Sequence, residues 1–235
     1  MSARQVILDT ETTGLEAKDG HRIIEIGCLE IVGRRLTERR LHHYINPERA
    51  SDEGALAVHG LTDEFLRDKP RFAEVADELL AFVDGAEVII HNASFDCEFL
   101  DAELKRLGKG SFASHCVQVT DSLKLARELH PGKRNSLDAL CERYGVSNAH
   151  RTLHGALLDA GLLADVYLAM TRGQDTLVID LAPEGAHEDS GPIDATGLIV
   201  LIASEAEVAA HEALLAGLEK QNRKPPVWRA PQPGA

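Results

Sequence analysis

The chain has few cysteines, no long apolar run and no excess of positive charge. Its four cysteines, Cys28, Cys97, Cys116 and Cys141, have no CxxC spacing, so we expect free thiols in a reducing cytoplasm rather than disulfides or a zinc site. Each apolar run is too short to cross a bilayer, and the start of the chain, with Arg4 close behind the first residue, does not resemble a signal peptide. We therefore expect a soluble, cytoplasmic protein with no membrane partner.

The balance of charge is acidic, with 38 Asp and Glu against 25 Lys and Arg and a net charge of −13. This balance argues against a tight, autonomous nucleic-acid binder, because nonspecific affinity comes largely from basic side chains that neutralise phosphates. If the protein handles nucleic acid, it needs divalent metal and a partner that delivers the substrate. The chain length of 235 residues suits one ordinary domain plus an appendage.

The most informative stretch is VILDTETTG at residues 6–14. Its apolar start and its Thr-Thr-Gly end predict a short buried strand that stops at two carboxylates. Because side chains alternate along a strand, Asp9 and Glu11 share one face and Thr10 turns away. Adjacent buried carboxylates repel each other, and a hard divalent cation between them removes that cost. The alternative is a pair of acids at a solvated strand end.

Two more acids follow downstream. Asp96 falls in the first turn of a predicted helix, where it either complements the helix dipole or contributes to a site. Asp159 interrupts an apolar helix face, where an unpaired carboxylate is costly, so we expect a buried partner or a metal. His154 lies five residues earlier, about 140° around an ideal helix. It therefore reaches the same site only from an irregular lead-in to the helix.

The order of predicted elements indicates an α/β domain. A hairpin with a turn at Gly33-Arg34 follows the first strand, and strands near residues 88–90 and 117–121 then alternate with helices. The last long helix of this domain is predicted at residues 153–170. The pattern predicts a mixed sheet of about five strands flanked by helices.

The acids and their neighbours form four recognisable segments. These are Asp9-x-Glu11-Thr12-Thr13-Gly14, Val58-His59-Gly60-Leu61-Thr62, His91-Asn92-Ala93-x-Phe95-Asp96 and His154-x4-Asp159. The first, third and fourth resemble the three exonuclease motifs of the DEDDh family of 3′→5′ exonucleases, in order and at family-like intervals. The second resembles the segment of that family near the terminal nucleotide. The resemblance implies a ribonuclease H-like exonuclease fold whose second strand runs antiparallel to the rest.

The resemblance also implies a chemistry, namely phosphodiester hydrolysis with two divalent ions, Mg²⁺ or Mn²⁺, roughly 3.5 to 4 Å apart. Asp9 would bridge both ions, and Glu11 and Asp159 would complete one of the two sites. Asp96 would act on the other site through water. His154 would be the general base, since a neutral imidazole can accept a proton at cellular pH.

Four further residues are candidates for holding the terminal nucleotide of a single-stranded DNA 3′ end: Thr12, His59, Asn92 and Phe95. Phe95 also suits a core aromatic at the start of a helix, and His59 also suits a loop residue without a ligand. Recognition of particular bases is not required for proofreading. A mismatched terminus frays more readily, and a site that accepts only separated single strand converts this difference into selectivity.

The remainder of the chain is similar to the tails of proofreading subunits of bacterial replicative polymerases. Gln174-x-x-Leu177-x-Ile179 resembles peptides that bind the bacterial sliding clamp, although three constrained positions also arise at an ordinary helix end. A strand-like run, a helix after Ser204 and the only tryptophan, Trp228, resemble a tail that binds the polymerase alpha subunit. These elements are too small to fold alone, so we expect a flexible tail that orders on its partner.

The resemblance thus implies four segments along the chain. The exonuclease domain would span 1–173, the clamp-binding peptide 174–179, the linker 180–196 and the polymerase-binding tail 197–235. A small accessory subunit is a further candidate partner. Two other functions stay open: an exoribonuclease of the same family that trims RNA, since two-metal hydrolysis does not depend on the sugar, and a non-catalytic protein that bridges polymerase and clamp.

Overall fold

The computed structural model describes residues 4–149, 153–172 and 203–222. The chain divides into two units at residues 179 and 180, the first with β1 to α7 and the second with α8. The strands are β1 Arg4–Thr12, β2 Ile23–Val32, β3 Arg35–Tyr44, β4 Glu87–Ile90 and β5 Gln118–Asp121. The helices are α1 Glu53–His59, α2 Asp63–Leu66, α3 Phe72–Val83, α4 Ala93–Arg106, α5 Ser122–Leu129, α6 Leu137–Tyr144, α7 Ala156–Met170 and α8 Glu205–Asn222.

The five strands form one mixed sheet in the order β3-β2-β1-β4-β5. β2 is antiparallel to β1 and β3, whereas β4 is parallel to β1 and β5. Both residues of the Gly33-Arg34 turn have positive φ, 59° and 60°, as a type I′ hairpin turn requires. The predicted five-stranded sheet, with its second strand running against the others, is confirmed.

Helices cover both faces of the sheet because β1 is apolar on both sides. Val6, Ile7 and Leu8 have no solvent-exposed surface. Val6 and Leu8 belong to a core with α3 and α4, whereas Ile7 belongs to a second core with α6 and α7. Even-numbered side chains of β1 therefore point to one face, which we call the α4 face, and odd-numbered ones point to the opposite α7 face.

The carboxyl ends of the parallel strands β1, β4 and β5 meet at one edge of the sheet. The chain passes from β4 into α4 and from β5 directly into α5. Asp121 caps α5, since its Oδ1 accepts the N–H groups of Leu123 and Lys124 at 2.9 and 3.2 Å. In α/β sheets, ligands bind outside the carboxyl ends of the strands, and this edge is where the predicted site residues collect.

One helix start differs from the sequence-based boundary. α7 begins at Ala156 rather than at residue 153, because Gly155 has an extended backbone with φ −158° and ψ 130°. α4 begins after Asn92, which takes the left-handed conformation with φ 67° and makes no capping hydrogen bond through its side chain. Asn92 therefore occupies the N-cap position of α4 without a side-chain capping bond.

The second unit contains α8, whose start matches its prediction. The Ser204 N–H donates to Glu207 Oε2 at 2.8 Å, and the Glu207 N–H donates to Ser204 Oγ at 3.4 Å, which together form a capping box. The candidate clamp peptide with Gln174, Leu177 and Ile179, the predicted linker, and Trp228 lie outside the described residues. Among the helices that are described, none is long and apolar enough to span a membrane.

Candidate active site

The end of β1 places two carboxylates side by side. Asp9 pairs with Gly27 of β2, and Glu11 pairs with Glu25. Both acids are half-buried, and by alternation they lie on the α7 face with Ile7. The predicted arrangement of one shared face is confirmed, and that face is covered by a helix rather than exposed as a solvated strand end.

α7 delivers two more site residues from the covering layer. Asp159 is buried, 4% exposed, and its Oδ2 lies 3.2 Å from Nδ1 of His154. His154 precedes the helix, and its N–H donates to the carbonyl oxygen of Val58 at 3.0 Å. The expectation that His154 reaches Asp159 from an irregular lead-in is confirmed.

A glycine in β2 lets α7 approach this closely. A Cβ built on Gly27 would lie 2.3 Å from the backbone nitrogen of Leu157 and 2.4 Å from the carbonyl carbon of Ala156. No side chain fits in that space, so only glycine permits the first turn of α7 to contact the sheet. Because Asp9 pairs with Gly27, this contact fixes Asp159 beside the β1 carboxylates.

Asp96 enters the site from the opposite face of the sheet. It lies in the first turn of α4, is 3% exposed, and accepts a 2.7 Å hydrogen bond at Oδ1 from Thr10 Oγ1. Burial raises the pKa of Asp96 to about 7, and the Thr10 hydroxyl opposes this shift by stabilising the charged form. The side chain of Thr10, turned away from Asp9 and Glu11, thus holds the third carboxylate.

The donor atoms in this region suit a divalent cation. One ligand atom each from Glu11, His154 and Asp159 all lie within 4.8 Å of one another. Asp9 and Asp96 line the same cavity, whose volume is about 720 Å³. Hard cations such as Mg²⁺ and Mn²⁺ prefer carboxylate oxygens, so four carboxylates converging on one cavity fit such ions.

A second cavity of about 450 Å³ adjoins the first and shares Thr10, Glu11 and Phe95 with it. Three of the four predicted nucleotide-binding residues, Thr12, His59 and Phe95, line it, with apolar walls from Leu15 and Val58. The fourth, Asn92, lines only the first cavity. The structure therefore brings three of these residues together and leaves Asn92 beside the carboxylates.

His59 is buried at the second cavity, 4% exposed. Its Nδ1 accepts the Leu61 N–H at 2.9 Å, and burial lowers its pKa, so the ring is neutral with its proton on Nε2. Nε2 has no hydrogen-bond partner among the described residues. An unpartnered buried donor beside an apolar cavity is costly unless a ligand accepts from it.

The other two lining residues also have internal contacts. The Thr12 hydroxyl donates to the Gly14 carbonyl oxygen at 2.7 Å, which leaves its lone pairs for a ligand. Phe95 packs on Phe99 with ring centroids 5.0 Å apart and lines both cavities. Phe95 therefore combines the two interpretations of the sequence, core aromatic and cavity wall.

Sequence reasoning missed several residues that the structure places at the first cavity. For Thr10 the alternation rule predicts only that its side chain turns away from Asp9 and Glu11; its contact with Asp96 on α4 is seen only in the structure. Arg127, Lys133 and Asn135 form another wall of the cavity. Their only signal in the sequence is the Pro131-Gly132 break between two short helices.

Comparisons with known proteins agree with this geometry. An exonuclease family model, RNase T, matches residues 6–167. DNA polymerase III subunit epsilon of Escherichia coli K12 is 48% identical over 97% of this chain and 98% of its own length. The protein of the same name from Rickettsia felis is 41% identical over 93% and 98%.

Solved structures give the same fold. Exonuclease X in complex with 5′ overhanging duplex DNA superposes with a TM-score of 0.58 and 26% identity, over 73% of this chain and 93% of that one. The nuclease domain of 3′hExo, a DEDDh family member bound to rAMP, superposes with a TM-score of 0.63 and 17% identity, over 74% and 94%. The second likeness supports the fold alone.

The fold and the converging carboxylates define a metal-dependent 3′→5′ exonuclease. The relatives then narrow the class, because they match almost the whole length of the chain. The chain belongs to the exonuclease family and, within it, to the epsilon subunits of bacterial DNA polymerase III.

Proposed function

We propose that this protein is the proofreading exonuclease of a replicative DNA polymerase, and that it removes mismatched nucleotides from a single-stranded DNA 3′ end. The observation that carries the proposal is the convergence of Glu11, His154 and Asp159, with donor atoms within 4.8 Å of one another. Asp9 stands on the same strand face, and Asp96 enters from the opposite one. No described feature outside this edge of the sheet brings comparable chemistry together.

Asp9, Glu11, Asp96 and Asp159 would hold the two divalent ions, Mg²⁺ or Mn²⁺. The ions would activate the attacking water and stabilise the leaving 3′-oxygen. Four acids are enough to neutralise two divalent charges, and the hydrogen bond from Thr10 Oγ1 would hold the Asp96 carboxylate toward the ions.

His154 would take the proton of the attacking water. Its Nδ1 lies 3.2 Å from Asp159 Oδ2, so the carboxylate favours the tautomer with the proton on Nδ1 and leaves Nε2 as the basic atom. The new bond joins the water oxygen to phosphorus, and the bond to the 3′-oxygen of the preceding nucleotide breaks. The products are a 5′-mononucleotide and a strand that ends in a 3′-hydroxyl.

The second cavity would hold the terminal nucleoside. The apolar walls of Val58 and Phe95 suit the sugar and base, and the Nε2 donor of His59 suits an oxygen acceptor. A cavity of this kind excludes a paired terminus without reading the base. Frayed mismatched ends would therefore enter more often than matched ends.

We propose partners on the same grounds. Residues 1–173 would be the exonuclease domain, Gln174, Leu177 and Ile179 would bind the sliding clamp, and the tail at 197–235 with Trp228 would bind the polymerase alpha subunit in the cytoplasm. The relatives are named as DNA polymerase III subunits, and the chain matches 98% of the length of each. This match supports polymerase binding. A small accessory subunit is a further candidate.

The test compares single-stranded DNA and RNA of one sequence, labelled at the 3′-terminal nucleotide, with Mg²⁺ or Mn²⁺ and with EDTA. We expect metal-dependent release of mononucleotides from DNA, and faster release from a mismatched than from a matched primer end. The variant Asp9→Ala with Glu11→Ala should be inactive. A strong preference for RNA would instead support an RNA-trimming enzyme, and no hydrolysis of either strand would support a bridging protein.

A metal titration separates loss of the site from loss of the fold. Binding to the native state raises the melting temperature, so Mn²⁺ should stabilise the parent protein. The double variant removes two repelling carboxylates and should melt no lower than the parent without metal. It should show no Mn²⁺-dependent rise, and a rise equal to that of the parent would place the metal elsewhere.

A further inference from the structure

One wall of the first cavity carries charge opposite to that of the carboxylates. It consists of the end of α5, the loop at residues 130–136 and the start of α6, and it contributes Arg127, Lys133 and Asn135 to the cavity lining. Arg127 and Lys133 are exposed. Neither of them forms an ion pair with another residue in the described part of the chain. We call this surface the basic wall.

The loop that carries Lys133 is held in place from behind. Asn135 is buried, 7% exposed, and its Nδ2 donates to the carbonyl oxygens of His130 and Lys133 at 3.3 and 3.1 Å. Arg143 donates to Asn135 Oδ1 at 3.0 Å and to the Arg134 carbonyl oxygen at 2.7 Å. Three of these hydrogen bonds end on backbone carbonyl oxygens of the loop, and the fourth holds the Asn135 side chain in place, so that Lys133 is presented from a rigid base.

The position of the basic wall follows the direction of a bound strand. The second cavity, which would hold the terminal nucleoside, shares Thr10, Glu11 and Phe95 with the first cavity, whereas the basic wall belongs to the first cavity alone. The scissile phosphate would lie on the carboxylates between them. Because the strand is continuous, the nucleotides upstream of that phosphate must leave through the first cavity.

We propose that Arg127 and Lys133 bind the phosphates upstream of the scissile phosphodiester and so position the single strand for each cut. The inference rests on the proposed function. These upstream phosphates carry charge that the metal ions do not neutralise, and the remaining titratable lining of the cavity is mostly acidic. Asp138, on the same wall, carries a negative charge that repels a phosphate, and it accepts a hydrogen bond from Asn148 at 3.1 Å. Arg127 and Lys133 are therefore the charged groups on this wall that attract a phosphate.

The experiment measures KM and kcat with two substrates in the full chain. One is a short single-stranded oligodeoxynucleotide, and the other is the p-nitrophenyl ester of thymidine 5′-monophosphate, which has a scissile phosphate but none upstream. Arg127→Ala with Lys133→Ala should raise the oligonucleotide KM relative to the ester KM about 5-fold or more. The slope of log(kcat/KM) against log[salt] should become shallower by about 0.7 for each phosphate that the variant no longer binds.

The matched control is Lys124→Ala with Arg134→Ala, which removes the same charge from the same two elements. Both residues are exposed, and neither lines either cavity, so the KM ratio and the salt slope should equal those of the parent. An unchanged ratio in the Arg127 and Lys133 variant, or a change matched by the control, would overturn the inference. Failure of the parent to hydrolyse either substrate would overturn the proposed function itself.

Discussion

Thr10 illustrates how one side chain outside the acidic set can control it. It stands between Asp9 and Glu11 in the sequence but points to the α4 face, where its hydroxyl donates to Asp96 at 2.7 Å. Asp96 is buried and its pKa is raised, so the carboxylate depends on this donor for part of its stabilisation. A residue that looks like a spacer in the sequence therefore aligns a carboxylate on the opposite side of the strand.

Replacing Thr10 with Val keeps the shape and removes the hydroxyl. We expect kcat on single-stranded DNA to fall about 10- to 100-fold, as for other partners that orient metal ligands. The control is Thr37→Val, because Thr37 Oγ1 donates to Glu30 Oε2 at 2.8 Å at a distant strand, and kcat should not change. A parental kcat in Thr10→Val would show that the bond does not position Asp96.

His154→Ala tests the general base. Loss of a positioned base lowers turnover by about 10²- to 10⁴-fold, so we expect kcat to fall in that range while KM for the oligonucleotide changes little. His43→Ala is the control, since His43 pairs with Glu78 at 2.9 Å and lines neither cavity. If His154→Ala keeps more than a third of the parental kcat in fixed-time assays, another group takes the proton.

At the scale of the elements, the contact of α7 with β2 decides whether the carboxylates meet. The alternation rule predicts the shared face of Asp9 and Glu11, but it does not say which helix covers that face. The contact depends on Gly27, where a Cβ would approach Leu157 N to 2.3 Å. The lead-in conformation at Gly155 then turns His154 back toward Asp159.

Gly27→Ala should push the first turn of α7 away from the sheet. We expect lower thermal stability, because backbone atoms of the helix must shift. We also expect kcat to fall by a larger factor than KM changes. The control is Gly161→Ala, whose Cβ would lie an ordinary 3.9 Å from Leu29 Cδ1 and which should stabilise α7 by about 0.5 to 1 kcal/mol. Circular dichroism melts and assays on DNA compare the two, and equal melting temperatures would refute the close contact.

These elements also show what sequence can supply. Local periodicity predicts the sheet and the face of the β1 carboxylates. The angle between positions 154 and 159 on an ideal helix predicts the irregular lead-in of His154. Neither predicts the bond from Thr10 to Asp96 or the basic wall of Arg127 and Lys133. Those contacts join elements far apart in sequence, and no repeat of 2 or 3.6 residues reports which elements pack together.

On the scale of the whole molecule, charge sets the conditions for function. A chain with a net charge of −13 repels DNA at a distance. The Arg127 and Lys133 side chains of the basic wall therefore act only after the strand has reached the cavity. Efficient proofreading then requires a high local concentration of the primer end. Tethering to a polymerase supplies such a concentration without any new contact to DNA.

Deleting residues 190–235 separates catalysis from delivery. All the described site residues lie before residue 160, so the truncated chain should degrade free single-stranded DNA at a rate close to that of the full chain. It should fail to co-purify with the polymerase alpha subunit and should no longer lower the mismatch frequency in primer extension at equal concentration.

Gln174→Ala with Leu177→Ala is the counterpart variant, which should lose clamp binding and keep polymerase binding. Retention of the polymerase by the truncated chain would instead assign that contact to residues 1–189, and an excess of truncated chain that restores fidelity would confirm that the tail acts through local concentration.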